Sequence, residues 1–252
     1  MRTLVVIPAR LGAVRLHHKP LRLLGGAPLI VRVWQRVSQM NLPDTLVVVA
    51  TDDGSVAETI RAEGAECVIT SDRHTTGTER VAEVAAMPAY AAFETIVNVQ
   101  GDEPFIGQAA IQGAEGMVSS GRFSLGTAAS PAEEAIGDDP NVVKVVTADD
   151  GRALYFSRAH IPFFRDRDTV RGPSPMLQHI GVYAYTRDAL AKWAALPPHP
   201  LESAERLEQL RPLAAGIPIG VAVATEPPAS GIDTEDDLAR ANARWQEFLA
   251  GR

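Results

Sequence analysis

Over the first hundred residues, short apolar runs alternate with amphipathic segments. Leu4–Ile7, Leu46–Ala50, Cys67–Ile69 and Ile96–Val99 are rich in β-branched residues and bounded by polar or turn residues. That pattern predicts strands buried on both faces. Between them, Ile30, Val33, Trp34 and Val37 recur at helical spacing after Pro28, Val56 and Ile60 mark a second helix closed by Gly64, and Val81 and Val84 mark a third. Strand–helix alternation of this length implies a parallel sheet with right-handed crossovers. Ligands bind such sheets at the carboxyl ends of the strands.

The second half is less regular. Val142–Thr147, Ala153–Ser157, Ile180–Tyr185 and Ile217–Ala224 read as strands, and 165–176 as a mobile loop. A helix is predicted over Leu201–Leu213, with Leu201, Ala204, Leu207, Leu210 and Leu213 on one side. A last helix starts at the Thr234-x-x-Asp237 capping pattern and points Leu238, Ala241, Trp245, Phe248 and Leu249 inward. With no repeat and no long linker, the expectation is one α/β domain over 1–252, with a smaller β-rich lobe inserted at about 130–190.

Composition narrows the function. The 252 residues carry 24 Lys+Arg against 31 Asp+Glu, a net charge of −7, which argues against nucleic acid or an anionic membrane as partner. A local basic pocket for a phosphorylated small molecule stays open. The single cysteine, Cys67, cannot form an internal disulfide and reads as core. The longest uncharged run, Gly172–Thr186, has 15 residues and two prolines, too short to span a bilayer. The N-terminus lacks a signal-peptide layout, so a cytoplasmic location is expected.

Four segments carry candidate chemistry. Pro8-Ala9-Arg10 through Arg15 to Lys19-Pro20 places three cations on the loop leaving the first strand. Arginine grips phosphate oxygens in pairs and lysine adds a point charge. The loop matches neither a Walker A motif nor G-x-G-x-x-G, which disfavours a nicotinamide dehydrogenase. A solvated basic loop is the bland alternative. Val99-Gln100-Gly101-Asp102-Glu103-Pro104 runs a buried strand into an aspartate suited to Mg²⁺, or into an ordinary turn. Gly231-Ile232-Asp233 supplies an aspartate that is either a helix-entry residue or the second half of a metal pair with Asp102.

The fourth, Asp72 to Arg80, offers Thr76, Gly77 and Thr78 at a helix start. Thr51 and Asp52 would lie on the same rim, and simple capping explains both segments equally well. The six histidines show no metal-ligand spacing, and no G-x-S-x-G elbow is present.

Taken in order, Pro8-Ala9-Arg10…Arg15-Leu16-x-x-Lys19-Pro20, Ala50-Thr51-Asp52, His74-x-x-Gly77-Thr78-Glu79-Arg80, Asn98 to Pro104, Ala153-Leu154-Tyr155-Phe156-Ser157-Arg158-Ala159 and Gly231-Ile232-Asp233-Thr234-Glu235-Asp236 resemble the 3-deoxy-manno-octulosonate (Kdo) cytidylyltransferase family. The likeness spans nearly the whole chain. The first motif is shared with many sugar nucleotidyltransferases. Asn98–Pro104, Leu154–Ala159 and Leu207–Arg211 are more specific. The resemblance implies a nucleotide-diphospho-sugar transferase fold, Rossmann-like, with a mixed but mostly parallel central sheet. It implies a Mg²⁺-dependent homodimer that makes CMP-Kdo and pyrophosphate from CTP and Kdo for lipopolysaccharide synthesis. It also assigns roles: Arg10, Arg15 and Lys19 on the triphosphate, with Asp102 and Asp233 on Mg²⁺. Thr51, Asp52, Thr76, Arg80 and Gln100 surround the cytidine or the reacting centre, and Arg158, His179, Tyr183, Glu208 and Gln209 hold the acid sugar. Arg10, Lys19, Asp102 and Asp233 form the catalytic set.

The chain departs from the family where Ala13-Val14 replaces Ser-Thr and His17-His18 replaces Pro-Gly. Two hydroxyls near the phosphates and the usual turn before Lys19 are therefore expected to be lost, while the charges stay. A cytidylyltransferase for a sialic acid or amino-Kdo, and a non-catalytic nucleotide-binding relative, are the rival readings.

Overall fold

Strand β1 (Thr3–Ala9) is buried along its whole length, as its β-branched run requires. It is the second strand from one edge of a parallel set. A computed structural model describes residues 1–12, 15–166, 175–225 and 231–250. Ala13-Val14 and most of the loop expected at 165–176 lie outside the described residues. The chain divides into two units, Met1–Gln108 with Ala229–Arg252, and Ala109–Pro228. The β-rich lobe expected at 130–190 falls within the second. The fold is mixed α/β with a mostly parallel sheet.

In the first unit, β1 is followed by a two-stranded hairpin, β2 (Leu23–Leu24) and β3 (Ala27–Pro28), then α1 (Leu29–Ser38). Pro28 caps α1, which buries Leu29, Ile30, Val31, Val33 and Val37. Strand β4 (Thr45–Thr51), α2 (Gly54–Ala62), β5 (Glu66–Ile69), α3 (Gly77–Ala86) and β6 (Thr95–Val99) complete the run. Pairing gives the order β5-β4-β1-β6, all parallel. The chain moves outward from β1 to β5, then returns to the other side of β1. That reversal makes the gap beyond the carboxyl ends of β1 and β6 a topological switch point, where loops splay apart and leave room for a ligand.

The second unit holds α4 (Gln108–Ser119), β7 (Leu125–Pro131), β8 (Lys144–Thr147), β9 (Ala153–Ser157), β10 (Leu177–Thr186), α5 (Arg187–Ala195), α6 (Pro200–Glu205), α7 (Leu210–Ala214) and β11 (Ile219–Val223). Strand β7 pairs in parallel with β11 and antiparallel with β10; β8 joins β10 and β9, both antiparallel. Helix α8 (Glu235–Ala250) belongs to the first unit.

Several expectations need correction. The helix over Leu201–Leu213 is two helices, because Arg206 turns left-handed (φ 56°) and ends α6. Pro212 is tolerated only because it sits in the first turn of α7, where no amide bond is lost. Leu249, expected inward, is exposed at 42%, and Leu201, on the apolar side of the predicted helix, is exposed at 39%. Strand β10 starts three residues before Ile180 and carries a bulge between Ile180 and Tyr183. The hydrophobic pattern of the sequence does not predict strand β7, helix α4 or helix α5.

Charged groups lock the second unit. Lys144 is fully buried and donates to three carbonyls: Asp139 O (2.9 Å), Val142 O (2.7 Å) and Arg158 O (2.6 Å). Across the Arg206 break, Glu202 of α6 takes two bonds from Arg211 of α7, at 2.6 and 2.8 Å. Those bonds hold the Glu202 carboxyl below its ordinary pKa. A lowered folded-state pKa gives stability that is present above the unfolded value and lost as pH falls through the folded one. Thermal melts should therefore show the Glu202 contribution at pH 7 and its loss below about pH 4. Glu202→Ala strands a nearly buried guanidinium and should cost about 3 kcal/mol at pH 7.

Candidate active site

The switch point carries the charges. After β1 the chain turns through Arg10 and Arg15 to Lys19, which opens a short 3₁₀ turn, and after β6 it runs through Gln100 and Gly101 to Asp102. His18, where the family pattern has glycine, adopts a left-handed backbone (φ 51°). The residue bears the conformation at a cost of about 1 kcal/mol.

Asp233 reaches the same place from the far end of the chain. The Ile232 amide donates to Asp102 O (2.9 Å), and Ile232 itself is buried. Behind it, Thr234 and Asp237 exchange capping bonds that start α8. Asn242 of α8 clasps Gly25 N (2.9 Å) and Leu23 O (3.1 Å) of the β2–β3 hairpin. Trp245 covers Gly25, where a Cβ would fall 2.1 Å from the indole and φ is +55°, so only glycine fits.

Lys19 Nζ bonds both Asp102 Oδ2 and Asp233 Oδ1, the latter at 2.7 Å. Arg15 adds an exposed contact to Asp233 at 2.8 Å. Burial pulls the Lys19 pKa down, but the pull of Asp102 and Asp233 more than offsets it and leaves it raised. Burial, followed by the charge of Asp102, pushes the neighbouring Glu103 carboxyl well above its ordinary value. Two carboxylates converging on one cation is donor chemistry that suits a hard metal ion. Among the described residues no cluster of three or more His, Cys, Asp or Glu could hold one. Asp102 and Asp233 are the residues here that could hold a hard cation such as Mg²⁺, which takes oxygen ligands and usually keeps water or phosphate oxygens in its remaining positions.

A cavity of about 400 Å³ opens over this cluster, lined by Arg10, Arg15, Lys19, Thr76, Arg80, Gln100, Asp102 and Asp233, among others. Thr76 caps α3 through Glu79 N (3.2 Å) while Glu79 bonds back. Arg80 is 2% exposed and paired to Asp52 at 3.0 Å. Thr51 is fully buried, and its hydroxyl accepts from Asp53 N (3.2 Å). Thr51 and Asp52 therefore lie behind the lining and not in it, with Asp52 acting on the cavity through Arg80. Glu83 holds the preceding loop through His74 and Ser71 N.

The residues assigned to the sugar belong to the second unit. His179 and Tyr183 share a face of β10 with ring centroids 5.5 Å apart. Burial, then the nearby charges of Tyr185 and Glu208, push the Tyr183 hydroxyl well above its ordinary pKa. Burial also pushes His179 down to about 3. Both are uncharged at neutral pH. Gln209 is buried at the start of α7. The Arg158 guanidinium bonds Glu205 O and Pro140 O, both at 2.8 Å, while Glu205 takes Ser157 Oγ (2.6 Å) and Arg158 N (2.9 Å). Glu205 and Thr127, which contacts His179, were not singled out from sequence. Glu103 stood in plain view beside Asp102, but nothing at Thr127 or Glu205 signals a role.

A reversed parallel sheet with cations and paired carboxylates at its switch point is the layout of an α/β nucleotidyltransferase. Residues 4–219 match the cytidylyltransferase family model. A 3-deoxy-manno-octulosonate cytidylyltransferase of Gemmatimonas aurantiaca is 56% identical, over 99% of this chain and 96% of its own. One from Stenotrophomonas maltophilia is 43% identical over 98% of each. The solved structure of CMP:2-keto-3-deoxy-manno-octonic acid synthetase complexed with CTP superposes with a TM-score of 0.88 at 34% identity, covering 98% of this chain and 99% of that one. The chain belongs to the 3-deoxy-manno-octulosonate cytidylyltransferase family.

Gly101 sets the spacing of the two switch-point loops. A Cβ there would lie 2.6 Å from Pro8 O. Gly101→Ala must push β1 and the Asp102 loop apart and should cost about 1–3 kcal/mol in urea denaturation. Unchanged stability would show that the loop yields freely.

Proposed function

We propose that the chain transfers the cytidylyl group of CTP to the anomeric hydroxyl of Kdo and releases pyrophosphate. The observation that carries this is the cavity where Arg10, Arg15, Lys19 and Arg80 face Asp102 and Asp233. Its cations match a triphosphate and its carboxylates match the counter-ion of that triphosphate. The names of the close relatives supply the nucleotide and the sugar.

In this reading the sugar oxygen bonds to the α-phosphorus as the bond to the pyrophosphate oxygen breaks in line. Catalysis of this kind rests on positioning and charge neutralisation. Arg10, Arg15 and Lys19 hold the triphosphate and balance charge on the departing pyrophosphate. Asp102 and Asp233 would hold Mg²⁺, and Lys19 Nζ, which bonds both carboxylates, would lie beside the bound phosphates. Bound Mg²⁺ supplies further neutralisation and a lower pKa for the attacking hydroxyl. Thr76 and Gln100 line the nucleotide side. Arg158, His179, Tyr183, Glu208 and Gln209 take the sugar.

We also infer a homodimer, supported by the exposed Leu154 (53%), Phe163 (83%) and Val223 (55%) of the second unit, apolar surface that a second copy would cover. A cytoplasmic location follows from the use of CTP. Among the described residues no helix is long and apolar enough to cross a membrane.

Pyrophosphate release should require CTP, Kdo and Mg²⁺ together. Release without sugar, or none from folded protein that binds CTP, would overturn the assignment, and preference for another acid sugar would reassign the acceptor. Asp102→Asn should fold normally and lose at least about 100-fold in turnover. Near-normal turnover in a folded variant would remove Asp102 from the metal.

A further inference from the structure

The bulge in β10 between Ile180 and Tyr183 brings two backbone carbonyls toward Thr127 of β7. Thr127 Oγ1 lies 2.7 Å from Val182 O, 3.4 Å from Ile180 O and 2.9 Å from His179 Nε2. Thr127 is fully buried, so water does not share these contacts.

A hydroxyl has one proton to donate, and a carbonyl oxygen only accepts. At 2.7 Å from Val182 O the proton must lie on that line, since two bare oxygens at that distance repel. The hydroxyl is therefore an acceptor toward His179, and Nε2 must carry a proton. The ring packs edge-on against Phe156 (5.1 Å) and beside Tyr183 (5.5 Å), and it is neutral. A neutral imidazole protonated at Nε2 leaves a lone pair at Nδ1. No described residue hydrogen-bonds Nδ1, and part of His179 stays exposed.

We propose that Thr127 is a positioning residue that fixes His179 as the Nε2-protonated tautomer, so that Nδ1 accepts a hydrogen bond from a sugar hydroxyl and does not bind the carboxylate. The sugar half of this rests on the assignment of His179 to Kdo; the tautomer half does not. It makes His179 a reader of hydroxyl groups, and leaves the carboxylate to a cation.

The test is long-range proton–nitrogen correlation spectroscopy of the histidine rings in the full-length protein, with His179 identified by comparison with His179→Gln. Nε2 should show the protonated-nitrogen shift and Nδ1 the lone-pair shift. Thr127→Val keeps the shape but removes the hydroxyl. It should mix the tautomers and raise KM for Kdo about tenfold, the scale of one hydrogen bond, with kcat and KM for CTP unchanged. Thr127→Ser should restore both the spectrum and KM. A ring protonated at Nδ1 in the wild type, or a folded Thr127→Val protein with wild-type KM for Kdo, would overturn the proposal. An Nε2-protonated ring in a protein that consumes no Kdo would uphold the Thr127 geometry and overturn only the ring's assignment to the sugar.

Discussion

The ammonium of Lys19 holds together two carboxylates that lie 83 and 214 residues away along the chain. Without a cation between them, Asp102 and Asp233 would repel, and the acid beside them, Glu103, would add to the strain if ionised. The rest of the first unit serves this meeting. The Ile232 amide pins the Asp233 loop to the Asp102 backbone, and Asn242 and Trp245 seat α8 on the β2–β3 hairpin so that the loop ahead of it stays in place. Gly101 lets the Asp102 loop pass close to Pro8.

Sheet topology supplies the location. With β1 and β6 adjacent and the chain reversing direction around them, the loops that follow both strands emerge on one rim and diverge. The electrostatic character of the two assigned sets differs. The first unit gathers charge of both signs around a cavity. The set in the second unit has neutral rings, because burial keeps His179 unprotonated and Tyr183 protonated at neutral pH. Neutral donors and acceptors read a hydroxyl pattern by direction, whereas charges read total charge.

Legibility followed the strength of local patterning. The strands near Leu4–Ile7, Leu46–Ala50 and Ile96–Val99, and the helix starts at Thr76 and Thr234, were readable because β-branched runs and capping pairs act within a few residues. Strand β7, Leu-Gly-Thr-Ala-Ala-Ser-Pro, escaped because small residues carry no strand signal; it lies where α4 packs so close that a Cβ on Gly126 would meet Ala114 O at 2.3 Å. The Leu201–Leu213 periodicity was real but did not make one helix, since the left-handed turn at Arg206 and the Glu202–Arg211 pair decide the path there.

For the site, the sequence by itself determined the charged inventory: the cations after β1, Asp102 after β6, Asp233 ahead of α8, and the motif order that marks the family. Those features are local, carried by strand ends and caps, and survive without knowledge of the fold. Only the tertiary structure decided that Lys19 bridges Asp102 and Asp233, that Arg80 pairs with Asp52, and that Thr127 meets the His179 ring. Each of these joins residues far apart in the chain through a single bond of about 3 Å or less. Such a bond depends on strand register, a bulge and helix seating, which no spacing within one segment encodes.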